Sequence, residues 1–267
     1  MRLDEERSLF IDAHIHLDKY SGAEIDGVVE TIDREGILSL SVAVDAPSFV
    51  RTEEIAARSR LIVPGFGIHP SEVPRVDASL DDIEDHAARS PFIGEIGLDH
   101  RFITDTTQYG PQRDVFARFL SLAKEQDKFV NVHCVGAEYE AVEMMRAHRI
   151  ERAIIHWYSG PPGALRQLIR EGYMFSIGVA ILHSDQIRDI ARTIPTDQLL
   201  TETDSPGGPE WLTGDRGRPD MIADVVAELA RVRRVHVDDL TETVRLNMEH
   251  LIDGDTHMAP WFDRLRV

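Results

Sequence analysis

The chain has 267 residues, 42% of them apolar and 28% charged: the composition of a folded globular protein, with length enough to bury a sizeable core. Its net charge of −18 argues against a broad, sequence-blind nucleic-acid surface, because phosphate contacts need a basic face, yet leaves room for a local basic pocket that takes one strand end. No stretch approaches the roughly 20 apolar residues of a membrane span, the charged N-terminus does not read as a signal peptide, and the single cysteine, Cys134, allows no intrachain disulfide, so a cytoplasmic protein is expected.

The first apolar run, Leu9-Phe10-Ile11, leads into His14 and His16. Side chains alternate faces along a strand, so the two imidazoles point the same way and can grip one metal ion. Taken alone, the pair reads equally well as two surface histidines on an edge strand. Residues 23–35 have helical spacing (Ile25, Val28, Val29, Ile32) and stop at Gly36. Residues 37–44 are a β run ending in Asp45-Ala46-Pro47, and 52–59 a short helix. Residues 61–68 are a third strand that ends at His69. A helix over 79–89 has Ser79 as candidate N-cap and the acids Asp81 and Asp82 in its first turn, where the dipole favours them.

The fourth strand, 92–98, carries Glu95 between Gly94 and Gly97, which leave room for close approach, and ends at Asp99. An amphipathic helix spans 112–126. The fifth strand, 129–133, ends in His133; a helix covers 138–148; the sixth strand, 152–156, ends in His156. A helix over 163–171, a strand over 173–177, a helix over 185–192 and an eighth strand over 198–203 follow, the last ending at Asp204. Residues 206–220 are rich in glycine and proline and read as a long loop over the mouth. Helices over 221–234 and 237–251 complete the chain.

Eight β/α pairs in succession are the repeat of a (β/α)8 TIM-type barrel, and 1–267 reads as one α/β domain. Parallel strands present their C-terminal ends on one face, where barrel active sites sit. His14, His16, Glu95, His133, His156 and Asp204 converge there. Four imidazoles and two carboxylates suit zinc or manganese, with magnesium a further candidate, and not calcium. Six ligands exceed what one catalytic zinc takes from protein, which points to two divalent ions sharing a carboxylate; Glu95 is the central one. A metal pair makes water a nucleophile near pH 7, and Asp204 can both ligate and take the water's proton.

These residues resemble the TatD family of metal-dependent hydrolases, within the amidohydrolase-like barrels. The motifs that carry the resemblance are Phe10-Ile-Asp-Ala-His-Ile-His-Leu-Asp18, Gly67-Ile-His-Pro70, Gly94-Glu-Ile-Gly-Leu-Asp99, the histidines His133 and His156, and Leu199-Leu-Thr-Glu-Thr-Asp-Ser-Pro206. The resemblance implies that His14 and His16 hold one ion, His133 and His156 the other, that Glu95 bridges, and that Asp204 completes the first site and handles the water's proton. It also implies a phosphodiesterase that trims DNA from an end, a TatD-type deoxyribonuclease. The chain departs from the family pattern around the substrate. His100 stands where an aromatic residue is common, Cys134-Val135 follow His133 where an arginine is common, Trp157-Tyr158 replace Cys-Phe after the sixth-strand histidine, and Arg218-Pro219 replace Asn-Glu-Pro.

Candidate substrate contacts are His69, His100, Arg101, Trp157 and Arg218. His69 reads equally as a strand cap, His100 as a loop residue at the mouth, and Trp157 as a stacking or packing group. Cys134 alternates off the His133 face and reads as a buried small hydrophobe. Glu202, two before Asp204 on the same face, reads as the partner of a buried base, and Asp18 as a loop stabiliser. The expected partner is a nucleic-acid end or a small-molecule substrate, with no membrane. Two rivals to the nuclease stand. An amidohydrolase or lactonase keeps all six ligands, needs no nucleotide channel and fits the acidic surface. A non-catalytic, metal-stabilised binding protein has no need of Asp204 poised over water.

Overall fold

The computed structural model describes residues 9–75 and 80–261. Ser79 and the charged N-terminal segment lie outside them. Eight strands alternate with helices: β1 (Phe10–Ile15), α1 (Ile25–Glu35), β2 (Ile37–Val42), α2 (Ala46–Ala56), β3 (Ile62–Phe66), α3 (Leu80–Arg89), β4 (Phe92–Asp99), α4 (Tyr109–Glu125), β5 (Val130–Val135), α5 (Glu138–Ala147), β6 (Ala153–His156), α6 (Pro162–Arg170), β7 (Met174–Ile177), α7 (Asp185–Thr193) and β8 (Leu199–Thr201). Three more helices follow, α8 (Gly207–Thr213), α9 (Ile222–Arg233) and α10 (Val237–Leu251). All pairing is parallel and runs in unbroken order from β1 to β8. This is the (β/α)8 barrel that the alternation predicts.

Strands in such a barrel are covered on both faces, so every position of β2 and β4 is buried. The helices seal the strands from outside, as where Phe66 of β3 packs against Phe49 of α2 and Phe119 of α4, with ring centroids 5.1 and 5.5 Å away. Polar groups close the seam between the last strand and the first. Asp204 N donates to His14 O (2.9 Å) and His16 N to Ser205 O (2.8 Å). The buried Asp12 carboxylate accepts from the main-chain N–H (2.9 Å) and hydroxyl (2.7 Å) of Thr203. Burial pushes the Asp12 carboxyl up to about 7 against these bonds. Asn247 on α10 donates to Leu199 O and Thr196 O, which fixes α10 against β8.

Three helices start earlier than the sequence reading places them and a fourth forms where it expects a loop, and each has a proline in its first turn. α2 begins at Ala46, not 52: Asp45 caps it by accepting from Ser48 N (2.8 Å), and Pro47 sits where no intrahelical N–H is needed. α4 takes in Pro111, and α6 begins at Pro162. Residues 206–220 are not one long loop, since α8 forms there around Pro209 and ends at the left-handed Gly214. Gly36 ends α1 in the left-handed conformation, as its position predicts.

Candidate metal centre

β1 delivers His14 and His16 to the C-terminal mouth, with Nε2 atoms 3.3 Å apart. β4 delivers Glu95, β5 His133 and β6 His156, while Asp204 follows β8 at φ +51, a left-handed conformation that Asp tolerates better than most residues. Glycines let β4 sit close to its neighbours. A Cβ on Gly97 would lie 1.8 Å from His133 O, and φ +148 there suits no other residue.

The carboxylate of Glu95 divides the cluster. Its Oε2 lies 3.6 Å from His14 Nε2 and 3.5 Å from His16 Nε2. Its Oε1 lies 3.1 Å from His133 Nδ1 and 3.7 Å from His156 Nε2. Asp204 Oδ1 closes the first group, 3.3 Å from His16 Nε2 and 3.8 Å from His14 Nε2. Atoms bound about 2.1 Å from one ion at tetrahedral or octahedral angles stand about 3.0–3.4 Å apart, so these spacings are near those of a ligand set.

The far nitrogen of each of the four rings meets a protein acceptor. His14 Nδ1 reaches Asn131 Oδ1 (2.9 Å), and Asn131 is itself oriented by donating to Ala13 O. His16 Nδ1 reaches Val42 O (3.2 Å), His133 Nε2 reaches Asp99 Oδ2 (3.2 Å), and His156 Nδ1 reaches Glu202 Oε2 (3.1 Å). A proton on each far nitrogen leaves the near nitrogen as a lone pair facing the carboxylates. His133 Nδ1 is buried with no hydrogen-bond partner of proper geometry, although Glu95 lies beside it. A convergence of lone pairs and carboxylate oxygens without donors fits a cation.

The electrostatics agree. Burial alone would push the carboxyls of Glu95 and Asp204 up, but the surrounding histidines outweigh it, holding Asp204 at about 2 and Glu95 well below the usual carboxylate range. Burial would lower His14 and His133, but Glu95 raises the first, and Asp99 with Glu95 the second, each to about 9. The cluster draws positive charge.

The structure brings all six candidate ligands together. His69 joins them, its Nε2 3.6 Å from Glu95 Oε1 and its ring edge-on to His133. Arg101 and Trp157 line the cavity of about 400 Å³ that opens over the centre. His100 and Arg218 are not among its lining residues. His100 stacks on Tyr109 with centroids 3.6 Å apart, and Arg218 pairs with Asp220 at a separate surface cavity. Cys134 is buried, and burial pushes its thiol up. Glu202 partners the buried His156, as its position predicts. Sequence reasoning missed Asn131 and the orienting role of Asp99. Asn131 sits two before His133 on one strand, a same-face signal that could have found it. Lys19, Phe102 and Trp211 at the mouth were missed as well.

Known proteins match along nearly the whole barrel. A family model described as TatD related DNase matches residues 11–253. The human protein named Deoxyribonuclease TATDN3 is 28% identical over 265 residues, spanning 93% of this chain and 96% of that one. A mouse protein named Putative deoxyribonuclease TATDN3 is 30% identical over 254 residues, 89% of this chain and 86% of that one. The crystal structure of YjjV, a TatD homologue from Escherichia coli, has a TM-score of 0.82 at 27% identity, covering 91% of this chain and 97% of that chain. With the barrel, the ordered motifs and these relatives in agreement, the chain belongs to the TatD family and is a metal-dependent hydrolase.

Proposed function

We propose that the protein hydrolyses phosphodiester bonds at a nucleic-acid end, with His14, His16 and Asp204 holding one divalent ion, His133 and His156 a second, and Glu95 shared between them. The observation that carries this reading is the disposition of Glu95, whose two oxygens face two different histidine pairs. Two bound ions would polarise the scissile phosphate and make water a nucleophile near neutral pH. Relatives named as deoxyribonucleases support nucleic acid as the substrate.

The residues around the centre have separate tasks. Asn131, Val42, Asp99 and Glu202 orient the four rings through their far nitrogens. Asp204 is ionised at working pH, and one of its oxygens receives the proton of the attacking water. Ser71 anchors His69 Nδ1 through its hydroxyl (2.8 Å) and its main-chain N–H (3.1 Å), so Nε2 is the nitrogen that faces the cavity. In this reading His69 contacts a phosphate oxygen and is not a third ion's ligand. Lys19 and Arg101 at the rim offer charge to the neighbouring phosphates.

A small amide, lactone or ester is the second reading, favoured by the cavity of about 400 Å³, near the lower end of ordinary ligand sites. The deciding experiment pairs metal analysis with a substrate panel. About two divalent ions per chain are expected, falling to about one in a His133→Ala, His156→Ala double variant. Asp204→Asn should keep most of the metal and lose turnover of single-stranded DNA. No turnover of any DNA by the metal-loaded protein, with turnover of an amide or lactone, would overturn the nuclease reading.

A further inference from the structure

Trp211 and Phe102 are, at 68% and 58% exposure, the most exposed large apolar side chains among the described residues, and both stand at one place, the rim of the metal cavity. Exposed aromatic surface is costly in water, and its concentration at a cleft marks a binding surface. The two rings meet edge to face, centroids 6.0 Å apart at 85°, and Trp157 meets Trp211 in the same manner at 6.4 Å and 74°. They are not shut in closed stacks.

The backbone holds these rings in place. Trp157 directly follows His156 and sits at φ +40, a left-handed conformation that a bulky residue seldom adopts, and its N–H donates to Glu202 Oε1 (3.0 Å). Trp211 is carried by α8, which rests on the centre through Gly208. Gly208 N donates to Asp204 O (2.8 Å), and a Cβ there would lie 2.5 Å from Asp204 Oδ2 and 2.6 Å from the Trp157 ring. Positions 208 and 211 share a helix face, so the contact that seats α8 also turns Trp211 to the mouth. Among the described lysines and arginines, Lys19 and Arg101 alone line this cavity, in a chain of net charge −18. Binding a polyanionic strand therefore needs a source other than a basic track.

We propose that Trp211, Phe102 and Trp157 form a ring-stacking subsite that holds the base of the nucleotide next to the scissile phosphate. The assignment to a base rests on the phosphodiester reading above. Stacking on aromatic side chains is indifferent to sequence, because every base has a π face.

The test uses the metal-loaded protein and two oligonucleotides that differ only in whether the terminal residues carry bases or abasic spacers. For the wild type, KM should be about 10-fold or more higher on the abasic strand, with kcat little changed. Trp211→Ala should raise KM by a similar factor on the base-bearing strand and have little effect on the abasic one, and Trp211→Phe should restore most of the loss. Equal losses on both strands, or none on either, would overturn the subsite. Calorimetric titration of wild type and Trp211→Ala with a nucleoside 5′-monophosphate and with ribose 5-phosphate separates this proposal from the nuclease reading. Tighter binding of the nucleotide that disappears with Trp211 supports the subsite even if DNA is not cleaved, and equal binding of the two ligands overturns it even if DNA is.

Discussion

Ser71 holds His69 Nδ1 through both its hydroxyl (2.8 Å) and its main-chain N–H (3.1 Å), which leaves Nε2 to meet whatever enters the cavity. By position alone His69 groups with Glu95 and His133 as a possible ion site. In the proposed reading it meets the substrate phosphate beside one. His69→Ala should therefore leave the metal content unchanged while lowering kcat by about 100-fold, the effect typical of removing one donor that meets developing charge. Loss of an ion from the variant would return His69 to the ligand set. The six converging residues were legible in the sequence because five stand at the ends of apolar runs, where a barrel gathers side chains, and Glu95 interrupts one between two glycines. The acceptors behind the rings were less legible. Glu202 was legible as the partner of a buried base, but that the base is His156, 46 positions away, and that Asn131 reaches His14 across 117 positions, no local pattern announces.

Helix starts show a single, repeated physical rule. Pro47, Pro111, Pro162 and Pro209 all lie in first turns, where the helix has no use for the missing N–H and gains from a preset φ. The sequence reading began three of these helices downstream of their prolines, and the glycine and proline content of 206–220 hid the fourth altogether. The strands fared better, because barrel strands buried on both faces are near-continuous apolar runs with sharp polar ends. β1 and β8 depend on the Asp12–Thr203 contact for their junction. Thr203→Val removes the hydroxyl that serves the buried Asp12 carboxylate and should cost about 1–3 kcal/mol in denaturant unfolding. An unchanged midpoint would mean that the remaining main-chain bonds suffice to hold the seam.

Over the whole molecule, a charge of −18 opposes the approach of a polyanion. Ordinary basic DNA-binding proteins lose affinity as salt rises, because each phosphate contact releases counterions. Here screening should help encounter, since the Debye length shortens from about 30 Å at 0.01 M to about 8 Å at 0.15 M. kcat/KM on a single-stranded oligonucleotide should rise over that range, and a steep fall would reveal a basic track. The seam has a further consequence for how the chain matures. The residues proposed for the first ion come from β1 and from just past β8, so nearly the entire barrel lies between the two halves of one ligand set. His14 and His16 are made with β1, whereas Asp204 is made only after the seven further strands have followed. Loading of that ion would therefore be a late event, a latch that closes on a finished barrel, and a chain cut short before β8 would keep the histidine pair and Glu95 without the closing carboxylate.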